Sequence, residues 1–579
     1  QRVNDVRYWS DDQTVAIDAA TDLAQIIVVG NFDFGLSQDD LKEIADKRGM
    51  PEPGDKSALV DPYGVKSGKA GIGGSILLSY VNNNATANIE SGARIHAGSD
   101  GKIDVTASNQ VTNIEFVQSG GQAEKFGVAG SFALDNETAN VLAQVNRGTV
   151  LKAGALNIKA NDTSSHLNIL GGVMRGDGVG IGCSIGINEI TRNIGAGIAQ
   201  PDGSAQGTTS NIVIAGTTNV EAIAKGDILV ATVAASLPAK AEDEAPDQSK
   251  DTSATTSGAP ESGSTGADKS QGKYGIGVSG AVSINEVNDT VKAFVDYSDK
   301  ITTRSLTVKG TNETNILALT GSVAYTKSSQ ETSGTLAGAY SQITLNGTTE
   351  ACVLGTEMDT NLLTLLAERI GNLWAISAGG ANSPGKSGIA VAGSVSINNI
   401  SNNTNAMLDD MKGTVAGPTL LQAKDKSSMH VIAGAEGYGG RGGFGAAVAY
   451  NDLQNNTTAK IMNSDWNQKA TLELLAQNLI RAGPIDESFV ISGNPADNVE
   501  IFAVAASLGL SPKGNFGGAG TVAINRIRNT VEVSMIGSTC NITGDGQVTF
   551  TGRDDSNIFS IAGAIGGAKN VGIGAAVAY

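Results

Sequence analysis

The residues that could do chemistry are few and scattered. His96, His166 and His430 are the only histidines, and no metal-ligand spacing links them. Cys183, Cys352 and Cys540 have no paired spacing, which argues against a disulfide framework or a zinc site. Asp and Glu are spread through the chain rather than gathered as a catalytic pair. Gly275-Ile276-Gly277-Val278-Ser279-Gly280 matches a dinucleotide fingerprint by letter but opens a strand-like pattern, without the helix whose N-terminus would hold a phosphate. Arg175-Gly176-Asp177 reads as a turn that an integrin could reach, or as ordinary turn composition. Asn-x-Thr sequons such as Asn84-Ala85-Thr86 and Asn402-Asn403-Thr404 follow from turn chemistry. No catalytic, cofactor-binding or metal-binding residue is assigned, and the expectation is a protein that is not an enzyme.

One feature is periodic. A basic residue stands in each Gly-rich turn: Lys69, Lys125, Arg175, Lys273, Lys327, Lys386, Arg441, Lys513 and Lys569. In a stacked repeat protein these residues form a candidate basic contact edge for an acidic polysaccharide or a second copy of the rod. The alternative is a solvated turn. The net charge of −18 makes such a stripe stand out, and disfavours nucleic acid and acidic lipid as partners.

The elements that position this edge repeat. Val391-Ala392-Gly393-Ser394-Val395-Ser396-Ile397-Asn398 alternates with period two, and so do its copies ending at Asn188, Asn285, Asn346, Asn451 and Asn525, with Ser79 and Asp135 at the same place in the first two. Successive anchors lie about 53 residues apart, with longer gaps where chain is inserted. One and three residues before the anchor stand large apolar side chains, such as Ile397 and Val395, and this face reads as core. Two and four residues before it stand mostly Ser, Ala, Gly or Thr. That flat face is expected to lie against the Gly/Ala-rich strand preceding the turn, so that the two form a thin arm with the basic turn at its tip. The six Asn anchors are expected to stack as a hydrogen-bonded ladder along the axis.

Each unit also carries a Leu-x-Val-x-Ala strand, as at 103–107, 156–160, 306–310, 363–367 and 472–476. Residues 357–370 have helix propensity, but the repeat register makes Leu363 to Ala367 a strand. The fold class predicted is all-β: a parallel β-solenoid (β-helix) of about nine repeats of roughly 53 residues with flattened, Gly/Ala-rich coils, one coil per repeat. Residues 1–579 read as one continuous segment. Insertions fall at about 34–66, with one short helix from Gln38 to Lys47; at 235–272, an acidic stretch too polar to order itself; and at 483–498. The sequence stops in mid-repeat and reads as part of a longer protein. No run of 18 apolar residues appears, and no membrane insertion is expected.

The motif Gly-x-Ser-Val-x-Ile-Asn-x-Ile-x-Asn-x-Thr-x-Ala, carried by Ser394 to Ala406, Ala281 to Ala293, Ala447 to Ala459 and Thr521 to Val533, resembles the repeats of leukotoxin-type and filamentous-haemagglutinin-like large adhesins of Gram-negative bacteria. The resemblance implies an exported, extracellular stalk at the bacterial cell surface, with a role in attachment. Partners would be surface glycans, a host or neighbouring cell, or further copies joined end to end or laterally. A self-assembling structural filament or sheath and a polysaccharide-degrading β-helix enzyme remain the alternative readings.

Overall fold

The computed structural model describes residues 12–30, 66–67, 69–123, 125–176, 178–199, 210–237, 274–327, 332–480 and 499–579. The expected helix at Gln38 to Lys47 and the insertions at 34–66, 235–272 and 483–498 lie almost wholly outside these residues.

The described chain is all β, and each strand pairs in parallel with its counterpart one repeat later. One coil shows the plan. An anchor strand, Ile389–Asp409, is followed by a short strand, Lys412–Val415, and then by a return strand in two pieces, Thr419–Asp425 and Ser428–Gly439. A tip turn at Gly440 and Arg441 leads into the next anchor strand, Gly442–Met462. Ile389 then lies beside Gly442, Lys412 beside Asp465 and Thr419 beside Leu472. One repeat therefore makes one coil, as expected. Leu363 to Ala367 falls inside the strand Thr332–Ser383, so the register outweighs helix propensity.

Corners need left-handed backbone. Gly92, Gly148, Gly355 and Gly537 take positive φ after their anchor strands, and Asp410 and Asn463 take it at the equivalent place. These residue types pay least for that conformation.

Two interiors run side by side along the axis. The base core holds the Leu-x-Val-x-Ala columns, including Leu156, Ile158, Ala160, Leu363, Leu365 and Ala367, against Val141, Ile194, Val291 and their neighbours on the anchor strands. Beyond a polar belt, a second core of Ile190, Val287, Leu345, Leu373 and Met429 leads into the arm. There the anchor and return strands press together over Ser, Ala and Gly. Ser377 Oγ is 2.7 Å from Ser394 Oγ, and Ser507 Oγ is 2.7 Å from Thr521 Oγ1. The small-residue face lies against the second sheet, as the sequence predicts.

The large apolar face is a correction. Val395, Ile397, Val448, Tyr450, Val522 and Ile524 point outward and are half-buried at most, while Ser394, Ser396, Ala447, Ala449 and the Asn anchors point inward. Period two fixes which residues share a face but not which face is inside. Backbone approach decides it here. A Cβ on Gly445 would sit 2.3 Å from the Leu508 carbonyl oxygen, and one on Gly509 would sit 1.8 Å from that of Gly518. No large side chain fits between such strands.

Candidate functional site

The tip turns carry the basic residues in the predicted region. Lys69, Lys125, Lys386, Arg441, Lys513 and Lys569 are exposed, and Arg175 and Lys327 are half-buried with interactions of their own. Lys273 lies outside the described residues. Neighbouring turns are linked through their backbones: Phe126 N donates to Lys69 O, Asn515 N to Arg441 O and Lys569 N to Gly514 O. Arg175 departs from the edge. It is the penultimate residue of the return strand Ala155–Gly176, beside Gln122 and short of the turn itself. Asp177 is outside the described residues, so the Arg-Gly-Asp triplet has no described geometry.

The Asn ladder forms in two pieces. Asn188 Nδ2 donates to Asn285 Oδ1 at 2.6 Å, Asn398 Nδ2 to Asn451 Oδ1 at 3.0 Å and Asn451 Nδ2 to Asn525 Oδ1 at 2.8 Å. Asn346 does not belong to it. Its strand is displaced by three residues relative to the sequence alignment, so Ile343 stands between Asn285 and Asn398. Asn346 instead donates to Asn288 on the outer face, at 2.8 Å. The displacement restores the small inward columns, placing Ala339 and Ser341 where the sequence alignment put Gln342 and Thr344.

The polar belt contains a buried charge chain that the sequence reading missed. His166 is sealed between Asp135, with Nδ1 3.6 Å from Oδ2, and Glu137, with Nε2 3.1 Å from Oε2. Ser164 Oγ links Glu137 to Asp162, and Asp162 Oδ2 lies 3.4 Å from Arg192 Nη1. Arg192 binds Asp289 through both ends of its guanidinium and also donates to Thr314 Oγ1 and the Lys225 carbonyl. Arg369 Nη1 reaches the same Asp289 at 3.2 Å.

Each shift in this chain has a cause. Burial lowers the His166 pKa, but the two carboxylates outweigh it and raise the imidazole to about 9. Burial, reinforced by the charge of Asp135, pushes Glu115 up to about 7. Burial raises Asp289, but Arg192 and then Arg369 hold it down at about 2. Burial also raises Asp162 and Asp425 and lowers Arg369. The arrangement stores charge inside the fold and presents none to a substrate. Among the described residues no group of His, Cys, Asp and Glu could hold a metal ion.

The outward faces of the arm are the second feature missed. On the anchor side five rows run from coil to coil, from the row of Ile276 and Ile389 at the tip end to the row of Ile284 and Ile397 at the base end. The middle row is small, with Gly74, Gly130, Cys183, Gly280, Gly338 and Gly393 in succession. Rows of large apolar side chains flank it: Ile181, Val278, Leu336, Val391 and Phe444 towards the tip, and Ile185, Val282, Tyr340, Val395 and Val448 towards the base. No charged residue stands in these five rows. Their side chains remain open to solvent in interior coils, Leu336 by 50% and Ile276 by 45%. On the return side an aromatic stack occupies the outward column, with Trp374 and His430 at 4.3 Å and Phe502 and Phe559 at 5.5 Å between ring centroids, and within it His430 and Phe502 are buried. That face is interrupted by charge, as at Glu436.

Gly275 to Gly280 begins the strand Tyr274–Tyr325, and Cys183, Cys352 and Cys540 are free thiols. No family model, curated protein or solved structure matches this chain.

Proposed function

We propose that the chain is a non-enzymatic stalk: a rod of about nine repeats of roughly 53 residues from an exported bacterial surface adhesin, which carries attachment sites away from the cell. The observation that carries this reading is the unbroken parallel pairing of coil on coil, from Thr14 beside Lys102 to Ala523 beside Ala578. Each coil templates the next, so length and stiffness grow together. The repeat motif supports the adhesin assignment, and the exposed lysines at the tips supply an edge for acidic surface glycans.

Binding of the purified chain to cells and to immobilised acidic polysaccharide tests the proposal. The triple variant Lys386→Glu, Arg441→Glu, Lys513→Glu is expected to lose most of that binding, and salt to weaken the wild-type contact. Binding that ignores both overturns the basic edge. Turnover of a polysaccharide by the purified chain favours the enzyme reading instead.

A further inference from the structure

Three features of the molecule lack a role in the stalk reading: the buried charge chain, the outward aromatic stack and the uncharged outer face of the anchor strands. The last carries an inference that does not depend on the stalk reading. A ridge, a furrow and a second ridge run along this face. The furrow is open: a Cβ on Gly130, Gly280, Gly338, Gly393 or Gly520 would meet nothing within 4 Å. Large apolar side chains border it on both sides, Val278 and Val391 on one and Val282 and Val395 on the other.

We propose that two copies of this chain pair laterally through this face, each seating the ridge of Val282, Val395 and Val448 in the glycine furrow of the other. Three observations favour a second copy as occupant. First, the profile is self-complementary. A two-fold axis parallel to the rod, placed between the furrow and that ridge, sets each ridge over the partner's furrow and keeps the coils level. Second, the footprint suffices. With strands about 4.8 Å apart and about 3.3 Å per residue, the face covers on the order of 1,400 Å², against about 800 Å² per partner in a standard interface. Uncharged patches of that size mark contact sites. Third, the contact strands no ion. The five rows brought together carry no charged residue on either copy, so pairing buries no unpaired charge.

Sedimentation of the full chain at increasing concentration tests the pairing, with thiol labelling to locate the contact. Cys183 lies in the furrow, whereas Cys540 points into the base core of the last coil and is partly open at the end of the rod. The expected species is a dimer that persists in 1 M NaCl. Labelling of Cys183 should slow about tenfold on association, with Cys540 unchanged. The variant Gly280→Val, Gly338→Val, Gly393→Val fills the furrow and is expected to be monomeric with wild-type circular dichroism. Should it misfold, Val282→Thr, Val395→Thr, Val448→Thr keeps shape and strand propensity and is expected to weaken dimerisation at least tenfold. A monomer at all concentrations overturns the proposal. So does protection of Cys540 rather than Cys183, which marks end-to-end stacking. Flotation with phosphatidylcholine vesicles, abolished by filling the furrow, also overturns it and assigns the face to a bilayer.

Discussion

Arg192 holds Asp289 by two parallel hydrogen bonds, Nε to Oδ1 and Nη2 to Oδ2, both 2.8 Å long, and neither side chain reaches solvent. Asp289 is also the only carboxylate within ion-pair distance of Arg369 among the described residues. Removing it leaves two buried guanidinium groups with a single carboxylate within ion-pair distance, Asp162 at 3.4 Å from Arg192. Breaking a buried pair costs about 3–5 kcal/mol, mostly as the desolvation of the stranded partner. Asp289→Asn is therefore expected to be more damaging than Arg192→Met, which leaves Asp289 its contact with Arg369. Urea unfolding of the two variants measures the order.

The same belt makes stability depend on pH with a definite sign. The folded pKa of His166 is raised from 6.5 to about 9, and those of Glu115 and Glu500 from 4.5 to about 7. In each case the folded chain holds its proton more tightly than the unfolded one. The contribution from the two glutamates is complete below pH 4.5 and lost as pH rises through 7. That from His166 is complete below 6.5 and lost through 9. Asp289, held down at about 2, acts oppositely, but only in strong acid. The urea midpoint is expected to fall steadily from pH 5 to 9. Glu115→Gln should remove part of the step near pH 7 and leave the one near 9. A midpoint that rises over this range refutes the assignment.

The ladder of asparagines points one way, each Nδ2 donating to the next Oδ1, and Ile343 breaks it. On either side of the break the groups are of the right kind: Asn285 Nδ2 donates to Ser283 instead, and Asn398 Oδ1 has no hydrogen-bond partner. An amide at 343 would accept from the first and donate to the second. Ile343→Asn is expected to cost less than about 1 kcal/mol, since the buried amide is satisfied on both sides. Ile343→Ala, which only opens a cavity, is expected to cost about 2–5 kcal/mol. Thermal melts that rank the two the other way reject the ladder as a source of stability.

The sequence carries the coil, the thin arm and the register of every anchor but Asn346, because each rests on columns that repeat. Leu156, Leu306 and Leu363 recur in one inward column, as do Ala160 and Ala367. The sequence does not carry the sense of the arm strands. Val395 and Ser394 alternate equally well with either facing in, and only the approach of the opposite backbone decides between them. The charge chain was legible column by column, though not motif by motif. Glu137 stands where other coils have Ile190, Val287 and Ile400, and Arg369 stands in the column of Asn312 and Asp425. A charge in an otherwise inward column is the signal. The slip at Asn346 left a similar trace, a Gln in a column of small residues.

Glycines on the two sides of the arm should differ sharply in their tolerance of a methyl group. Gly509 lies inside, where an added Cβ would come within 1.8 Å of the Gly518 carbonyl oxygen and 2.9 Å of the Gly443 oxygen. These are backbone atoms of the apposed anchor strands, so the arm must open to accept the substitution. Gly393 lies in the outer furrow with nothing near its Cβ position. Gly509→Ala is expected to cost about 1–3 kcal/mol as overpacking, and Gly393→Ala to be neutral or slightly stabilising through the lost freedom of glycine. The damage should also be local. The base core around Leu472, Leu474 and Ala476 is separated from the arm by the polar belt and pairs through its own strands. Amide exchange in Gly509→Ala should therefore quicken across 505–511 and 516–523 while 472–478 keeps its protection. Equal loss in both regions would mean that arm and base unfold as one unit.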